Sequence, residues 1–471
     1  KEEFSMNNII QLIAEKVKGT IEESVIKVLE GDAKLDNIVD SVGEMVNNIG
    51  LDTLDAIIDE LNDIVKKSPE RSGIYHIHKR KVSRTLVTRF GELEFDRAYY
   101  KNIRDKNYVY ILDEILGIEK YERVEGNLKG QILDQAVDVS YEKAAELSTP
   151  AYLTRQTVKN IIRENGKIDN LDLDVEDKKE VDTLYIEADE DHVPLQNGKN
   201  KEMKLIYVYD NKTKVSKDRI KLKNIRYFTG EMNPEDIWTE VATYLDEAYD
   251  LDKVKNIYIA GDGANWIKGG TEIIKDSKYV LDHYHLSKYV KKITAHLPSL
   301  EEPADIEKPL WRFIRRGKKE FAVELIDYAI EITPSKSKKK TMRAAKKYIL
   351  NNWEGINNLF QEEYRCSAEG HISHILSDRL SSRPMGWSLI GADEMARMRA
   401  YKANGGSIKE YYRNQRIEKR NYKRVLELDK KVVNRVKRSY NNINPDIMIE
   451  MPYTSKTDGR WLKDMLSAST F

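Results

Sequence analysis

Three acidic residues in this chain have the type and setting to hold metal ions: Asp189, Asp262 and Glu369. Asp189 closes the apolar run Thr183-Leu-Tyr-Ile-Glu-Ala-Asp189, and Asp262 closes Asn256-Ile-Tyr-Ile-Ala-Gly-Asp262. Short runs rich in β-branched and aromatic residues read as buried strands. In an open sheet, residues at the carboxyl ends of neighbouring strands converge on one edge. A helix packed across that edge can supply a third carboxylate. Such a set binds two divalent cations, Mg2+ or Mn2+, because hard ions prefer oxygen ligands. One ion would activate water or a 3′-hydroxyl, and the other would stabilise the leaving oxygen of a phosphodiester. The first ligand has rivals, since Glu187 and Asp191 share its strand face at period two. Glu187 lies inside the apolar run and Asp191 beyond its end, so Asp189 is preferred and Asp191 is the secondary candidate. Asp262 sits in Gly261-Asp-Gly263, an ordinary turn sequence whose small residues would also let a metal and a phosphate approach the backbone.

The segment Cys366 to Trp387 packs two acids, two histidines and two arginines into 22 positions. Arg379 and Arg383 have the forked guanidinium that clamps phosphate oxygens. His371 and His374 are secondary candidates. With Cys366 they form an alternative zinc set, although the His-Glu-x-x-His spacing is absent. His285, in Asp282-His-Tyr-His285, lies where a strand meets a helix. There it could touch a phosphate or support the metal shell, or serve as a structural histidine. Trp266, just after the Gly-Asp-Gly turn, is a further candidate.

These residues need elements to position them. From Thr183 the pattern reads strand, strand (Met203–Asp210), strand (Ile220–Thr229), helix (Pro234–Tyr249), strand to Asp262, helix from Trp266, strand (Lys278–Asp282), and helix from His285. Three strands, then helix, strand, helix, strand is the order expected of an α/β ribonuclease-H-like core, here residues 180–300. An all-α basic insertion (301–365) follows, then a closing helix with the last acid (366–400) and a basic helical tail (401–471). The insertion explains why 107 residues separate Asp262 from Glu369. Before the core, residues 1–70 read as an acidic helical assembly unit. Residues 71–165 read as a DNA-binding region, a β-hairpin turning at Gly91 within 84–97 and then a helix-turn-helix. Its helices are 140–147 and 154–163, the second exposing Arg155, Gln156 and Lys159 to a major groove. Small helical hairpins of this pattern also occur in ordinary helical cores.

Charge supports a phosphate partner in its distribution and not in its total. The 471 residues carry 79 basic and 79 acidic side chains. Residues 1–70 hold 7 basic against 16 acidic, whereas 311–350 hold 12 against 4 and 401–440 hold 13 against 4. Segregation of this kind points to basic surfaces for phosphates, as on double-stranded DNA, although such runs also occur as merely solvated helix faces. No run approaches the ~20 apolar residues of a membrane span. The first residues lack a signal-peptide layout, and a lone cysteine excludes an internal disulfide and any multi-cysteine zinc module. A cytoplasmic, nucleoid-associated protein is expected.

The motifs resemble those of the ISLre-two bacterial insertion-sequence transposases, relatives of the Mutator-like DDE enzymes. The matching pieces are Tyr185-Ile-Glu-Ala-Asp-Glu-Asp-His-Val193, Gly261-Asp-Gly-Ala-Asn-Trp-Ile267, Asp282-His-Tyr-His-Leu286, Glu369-Gly-His-Ile-Ser-His374 and Ser382-Arg-Pro384. Thr88-Arg-Phe-Gly and Ser140-Tyr-Glu-Lys-Ala-Ala match the family's N-terminal half, so the likeness spans roughly residues 80 to 400. It implies a DDE transposase that cleaves transposon ends and joins the 3′-hydroxyl to target DNA, with Asp189, Asp262 and Glu369 as the acids. Many relatives have glycine after the first aspartate. Here it is Glu190, which keeps Asp191 in competition. Paired-end chemistry also implies self-association as a dimer or larger. A DNA-binding protein without catalysis and a plain metal-dependent nuclease or resolvase are the alternatives.

Overall fold

The computed structural model describes residues 6–175, 177–214, 220–300, 305–362, 368–383 and 385–419. They form two compact units: one gathers residues up to 132, 142–155 and those from 412 on, the other 133–141 and 156–411.

The first unit opens with helices α1 (Met6–Glu30), α2 (Leu35–Lys67) and α3 (Pro69–Ile74), followed by strands β1 (Tyr75–Thr88), β2 (Gly91–Asn102) and β3 (Tyr108–Val109). Helices α4 (Ile111–Leu116), α5 (Gly126–Ala136) and α6 (Tyr141–Ser148) come next along the chain. The hairpin β1–β2 is longer than the 84–97 stretch expected, with register running from Tyr75↔Asn102 to Thr88↔Gly91. Gly91 takes φ +132 at the turn, a conformation open to glycine. The acidic helices do not stand apart from this hairpin. Ile58 of α2 is buried with Leu86, Leu93 and Phe95, and Val65 with Tyr75, Ala98 and Tyr100. Beneath the sheet, Arg84 donates to Asp113 at 2.6 Å, and Arg97 pairs with the same carboxylate. Two buried guanidiniums on one acid lower the Arg97 pKa to about 10, chiefly through burial and then through Arg84.

In the second unit, α7 (Arg155–Asn165) precedes β4 (Thr183–Pro194), β5 (Asn200–Tyr209), β6 (Asn211–Lys214), β7 (Ile220–Lys223) and β8 (Arg226–Gly230). The third strand expected over 220–229 is in fact two. Ile220–Lys223 pairs with β6 as a separate ribbon, and only Arg226–Gly230 joins the main sheet. Between them Asn224 sits at φ +53, which breaks the run. Helix α8 (Pro234–Ala248), β9 (Asn256–Gly261), the short α9 (Asn265–Lys268) and α10 (Gly270–Ile273), β10 (Ser277–Leu281) and α11 (His283–Thr294) complete the set. The strand order is β10-β9-β4-β5-β8. β4, β5 and β8 are antiparallel neighbours, whereas β9 runs parallel to both β4 and β10.

Both faces of this sheet are covered. Leu184, Ile186, Ala188, Ile206 and Val208 pack against α8 through Ile237, Trp238, Val241 and Leu245. On the other face Tyr258, Ala260 and Val280 meet α11 and the helices α12 (Glu307–Arg315), α13 (Lys319–Ile332), α14 (Lys336–Asn351) and α15 (Trp353–Gln361). The basic insertion is therefore no appendage, because its buried stripe forms one core with the sheet. The chain then continues as α16 (Ala368–Ile372), a π-helical turn (Ser373–Ser377), α17 (Asp378–Leu380), α18 (Leu389–Ala403) and α19 (Ile408–Lys419). Of the tail expected over 401–471, everything beyond Lys419 lies outside the described residues.

Candidate active site

The two aspartates meet because of strand register. β4 pairs with β9 through Glu187↔Ala260, and β9 pairs with β10 through Gly261↔Leu281. One residue further along β9 and β10, and two along β4, stand Asp262, Asp282 and Asp189. By period two all three carboxylates face the side of Ala260 and Val280, the side covered by α11 to α15. The strand expected to end at Asp189 runs on to Pro194, held by antiparallel pairing with β5. Asp189 lies where β4 outlasts its parallel partner, so the carboxylate stands at an edge although its own strand continues.

Electrostatics bind the group together. Burial first, then the charges of Asp262 and Asp282, push Asp189 up to about 6. Its one described hydrogen bond comes from the backbone N–H of Glu190. Its rivals are otherwise engaged. Glu187 is fully buried and accepts from Tyr207 and from Tyr209 (2.7 Å). Asp191 accepts the Ser381 hydroxyl on both oxygens, at 3.0 and 2.8 Å. Glu190 accepts Trp266 Nε1 at 2.9 Å, which gives Trp266 a bracing role beside the site.

Asp282 caps α11, accepting from the backbone N–H groups of Tyr284 and His285, and its Oδ2 lies 2.8 Å from His285 Nδ1. That hydrogen bond, followed by the charges of Asp282, Asp262 and Asp189, raises the His285 pKa. Helix cap, histidine partner and neighbour of the two aspartates are thus one residue.

Asp262 is fixed from the insertion. Tyr348 of α14 donates its hydroxyl to the Asp262 carbonyl, and its ring stacks on Tyr289 at 3.6 Å. Gly263 takes φ +99, and a Cβ there would lie 2.6 Å from Asn352 Oδ1. A Cβ on Gly261 would strike Ile267 and the Ala188 carbonyl. The space beside both glycines belongs to protein, which replaces the expectation that it is left for a metal or phosphate. Neither Tyr348 nor Asn352 stands out in the sequence, since one is a residue of an ordinary amphipathic helix and the other the cap between α14 and α15.

Glu369 lies on α16, which packs against β4; its side chain lies outside the described residues. Two residues on, His371 places its ring 4.3 Å from that of Tyr207 and its Nδ1 2.7 Å from the Tyr227 hydroxyl. Tyr207 is the cross-strand partner of Glu187, so α16 crosses the face to which Asp189 points. A π turn follows, a form that is rare and appears mostly as a single turn inside α-helices. Arg399 braces it, donating to the carbonyls of His374 (2.6 Å) and Ile375. His374 itself is exposed, 3.6 Å from Asp378. Cys366 lies outside the described residues, and His371 is committed to its tyrosines.

The two arginines part company. Arg379 is buried, donates to the Ala136 carbonyl at 3.2 Å, and lies over the Trp387 ring. It cannot reach a phosphate from there, which corrects its expected role as a clamp. Arg383 is exposed. In the region read as a helix-turn-helix, both helices form. Arg155 and Gln156 are exposed and Lys159 is half-buried. Arg155 sits 3.5 Å from Glu142 in a loose surface pair, and Gln156 bonds Asn160.

Among the described residues no three His, Cys, Asp or Glu side chains are grouped to hold a metal by themselves. The donor chemistry nevertheless fits a hard cation. Asp189 and Asp262 offer oxygen at one edge, and their repulsion is what a cation relieves.

A family model described as an uncharacterised protein family, UPF0236, matches residues 29–420. A UPF0236 protein of Caldanaerobacter subterraneus subsp. tengcongensis is 40% identical over 420 residues, covering 88% of each chain. Its name carries eleven locus designations. A second from the same bacterium is 39% identical over 429 residues, covering 89% of this chain and 91% of its own. A third, whose name carries four designations, is 39% identical over 429 residues, covering 89% of this chain and 90% of its own.

Proposed function

We propose, for a chain that belongs to the uncharacterised family UPF0236, that it is a DDE-type DNA transposase of the ISLre-two insertion-sequence kind. The observation that carries this reading is the register that sets Asp189 and Asp262 abreast at one sheet edge, on the face crossed by the helix of Glu369. Strand order supports it as well. Three antiparallel strands followed by two parallel ones, arranged β10-β9-β4-β5-β8, match the plan of a ribonuclease-H-like core. A relative whose name carries eleven loci in one bacterium is what a gene that copies itself would leave.

Asp189 and Asp262 would hold two divalent cations of the Mg2+ or Mn2+ class, with Glu369 as third acid. When bound, such ions supply an activated oxygen nucleophile and neutralise charge on the leaving oxygen. The chain's own residues do the rest. Tyr348 fixes the Asp262 backbone, His285 holds Asp282 beside it, and Trp266 holds Glu190, whose side chain strand alternation turns to the opposite face from Asp189. The outer face of α14 exposes Lys336, Lys338, Lys340, Arg343 and Lys347, a row fit for phosphates. Arg155, Gln156 and Lys159 on α7 are the candidates for reading transposon ends, and Arg383 remains a candidate phosphate contact. No described helix is long and apolar enough to cross a membrane.

Self-association belongs to the same reading. The α1–α2 arm exposes Ile21, Val25, Ile26, Val28, Leu29, Leu35, Val39, Val42 and Val46. Leu35, Val39, Val42 and Val46 follow heptad spacing, a stripe that a second copy of the arm could cover.

The test is strand transfer. Purified chain is incubated with Mg2+, a supercoiled plasmid and duplex DNA carrying the element's ends. Joined products from the wild type, absent with Asp262→Ala, are expected. Cut ends that never join would point to a nuclease, and binding without cutting to a DNA-binding protein.

A further inference from the structure

An aromatic column stands on the first unit's three-stranded sheet, on the face opposite Ala98 and Tyr100. The Tyr99 ring lies between Tyr110 (4.5 Å, 29°) and Tyr108 (5.3 Å, 23°). The buried Arg97 guanidinium closes the inner end, 3.6 Å from the Tyr110 ring. At the outer end Tyr108 is 45% exposed. His78 meets it edge-on at 5.0 Å, and Lys101 Nζ lies 5.4 Å from its centroid. On β2 the column shares its face with the buried Phe95 and Arg97, while Ala98 and Tyr100 fill a core on the opposite face, so it runs from a buried end out to the exposed Tyr108.

Beside the column, β1 is irregular. Its register with β2 shifts between Ile77 and Lys79 and again between Lys79 and Val82. Bulges re-aim side chains out of the regular alternation. Here the irregular stretch exposes Lys79, Arg80 and Lys81 in succession. Stacked rings ending in an exposed tyrosine, with lysines next to it, offer a base a surface to stack on and its phosphates a partner. A duplex keeps its bases stacked within the helix and would meet the lysines alone.

We propose that the Tyr108 end of this column binds an unpaired base of single-stranded DNA, with Lys101, Lys79 and Arg80 on the flanking phosphates. The inference rests on the DNA reading of the chain and adds that one site takes DNA in single-stranded form, such as a frayed or cleaved end.

The experiment is fluorescence anisotropy on the full chain with two labelled probes, an oligothymidylate of about 15 nucleotides and a duplex of equal length. Tyr108→Ala should weaken oligothymidylate binding about tenfold, the effect of losing one stacked base. Tyr108→Phe should retain it, and both variants should bind duplex as the wild type does, which also shows that they fold. Lys79→Ala with Arg80→Ala should weaken both probes. Equal oligothymidylate affinity in wild type and Tyr108→Ala overturns the proposal. So does a wild type that binds duplex but not oligothymidylate, and that result leaves the transposase reading intact. A wild type that binds neither probe and cuts no DNA removes both.

Discussion

Asp189 holds its proton to about pH 6 where an ordinary aspartyl group releases it near 3.8. Without divalent ions, the folded chain therefore binds more protons than the unfolded chain between those values. Stability then falls as pH rises through that window and stays lower above it. Asp189→Asn removes the loss. The variant should be more stable than wild type at pH 8 in EDTA, by on the order of 1–3 kcal/mol, with the gap closing below pH 4. Thermal denaturation across pH checks this, and equal midpoints at pH 8 would contradict it. The two arginines of the distinctive segment give a second contrast. Arg379→Ala should destabilise the fold by about 2–4 kcal/mol, because it empties a packed, hydrogen-bonded site beneath Trp387. Arg383→Ala should leave the melting midpoint in place and act only on DNA affinity. Sequence type alone made these two arginines equivalent, since burial is decided by Tyr141, Trp387 and the Ala136 carbonyl, all distant from Arg379 in sequence or across a turn.

At the scale of elements, the order of strands and helices in the core was legible because each buried strand is a short apolar run. The third strand was not, because Ile220–Lys223 and Arg226–Gly230 read as one run until Asn224 breaks them. The strand positions of Asp189 and Asp262 were legible from the apolar runs, although β4 continues past Asp189 to Pro194, whereas the proposal of Glu369 leaned on the family motif. The bracing by Tyr348 and Arg399 was not, because nothing local marks a helix residue that reaches backbone dozens of positions away. The insertion's role also escaped periodicity: its buried stripe reveals helices but not the sheet they cover. Helix α14 carries the sharpest prediction at this scale. Met342, Ala345 and Ile349 face the core while its lysines face out. Replacing Lys338, Lys340 and Arg343 by Ala should weaken DNA binding without changing stability, and should lower the slope of log K against log salt by about 3. An unchanged slope, measured by anisotropy titrations at several salt concentrations, would remove α14 from the interface.

For the whole molecule, the proposed function requires assembly on DNA, with the basic segments and the exposed apolar arm as its candidate surfaces. If the arm pairs with its copy, Leu35→Asp with Val42→Asp should convert an oligomer to a monomer in sedimentation experiments, with the second unit's fold preserved. An oligomer that persists would place the contact elsewhere. The central claim, that the edge formed by Asp189 and Asp262 cuts DNA with divalent metal, is tested most directly by single-turnover cleavage of end-containing DNA as Mg2+ is varied, for wild type and Asp262→Asn. The account predicts metal-dependent cutting by the wild type and a loss of about a thousandfold or more in the variant, a barrier change of roughly 4 kcal/mol. Cutting at equal rates by both proteins, or cutting indifferent to EDTA, would contradict it.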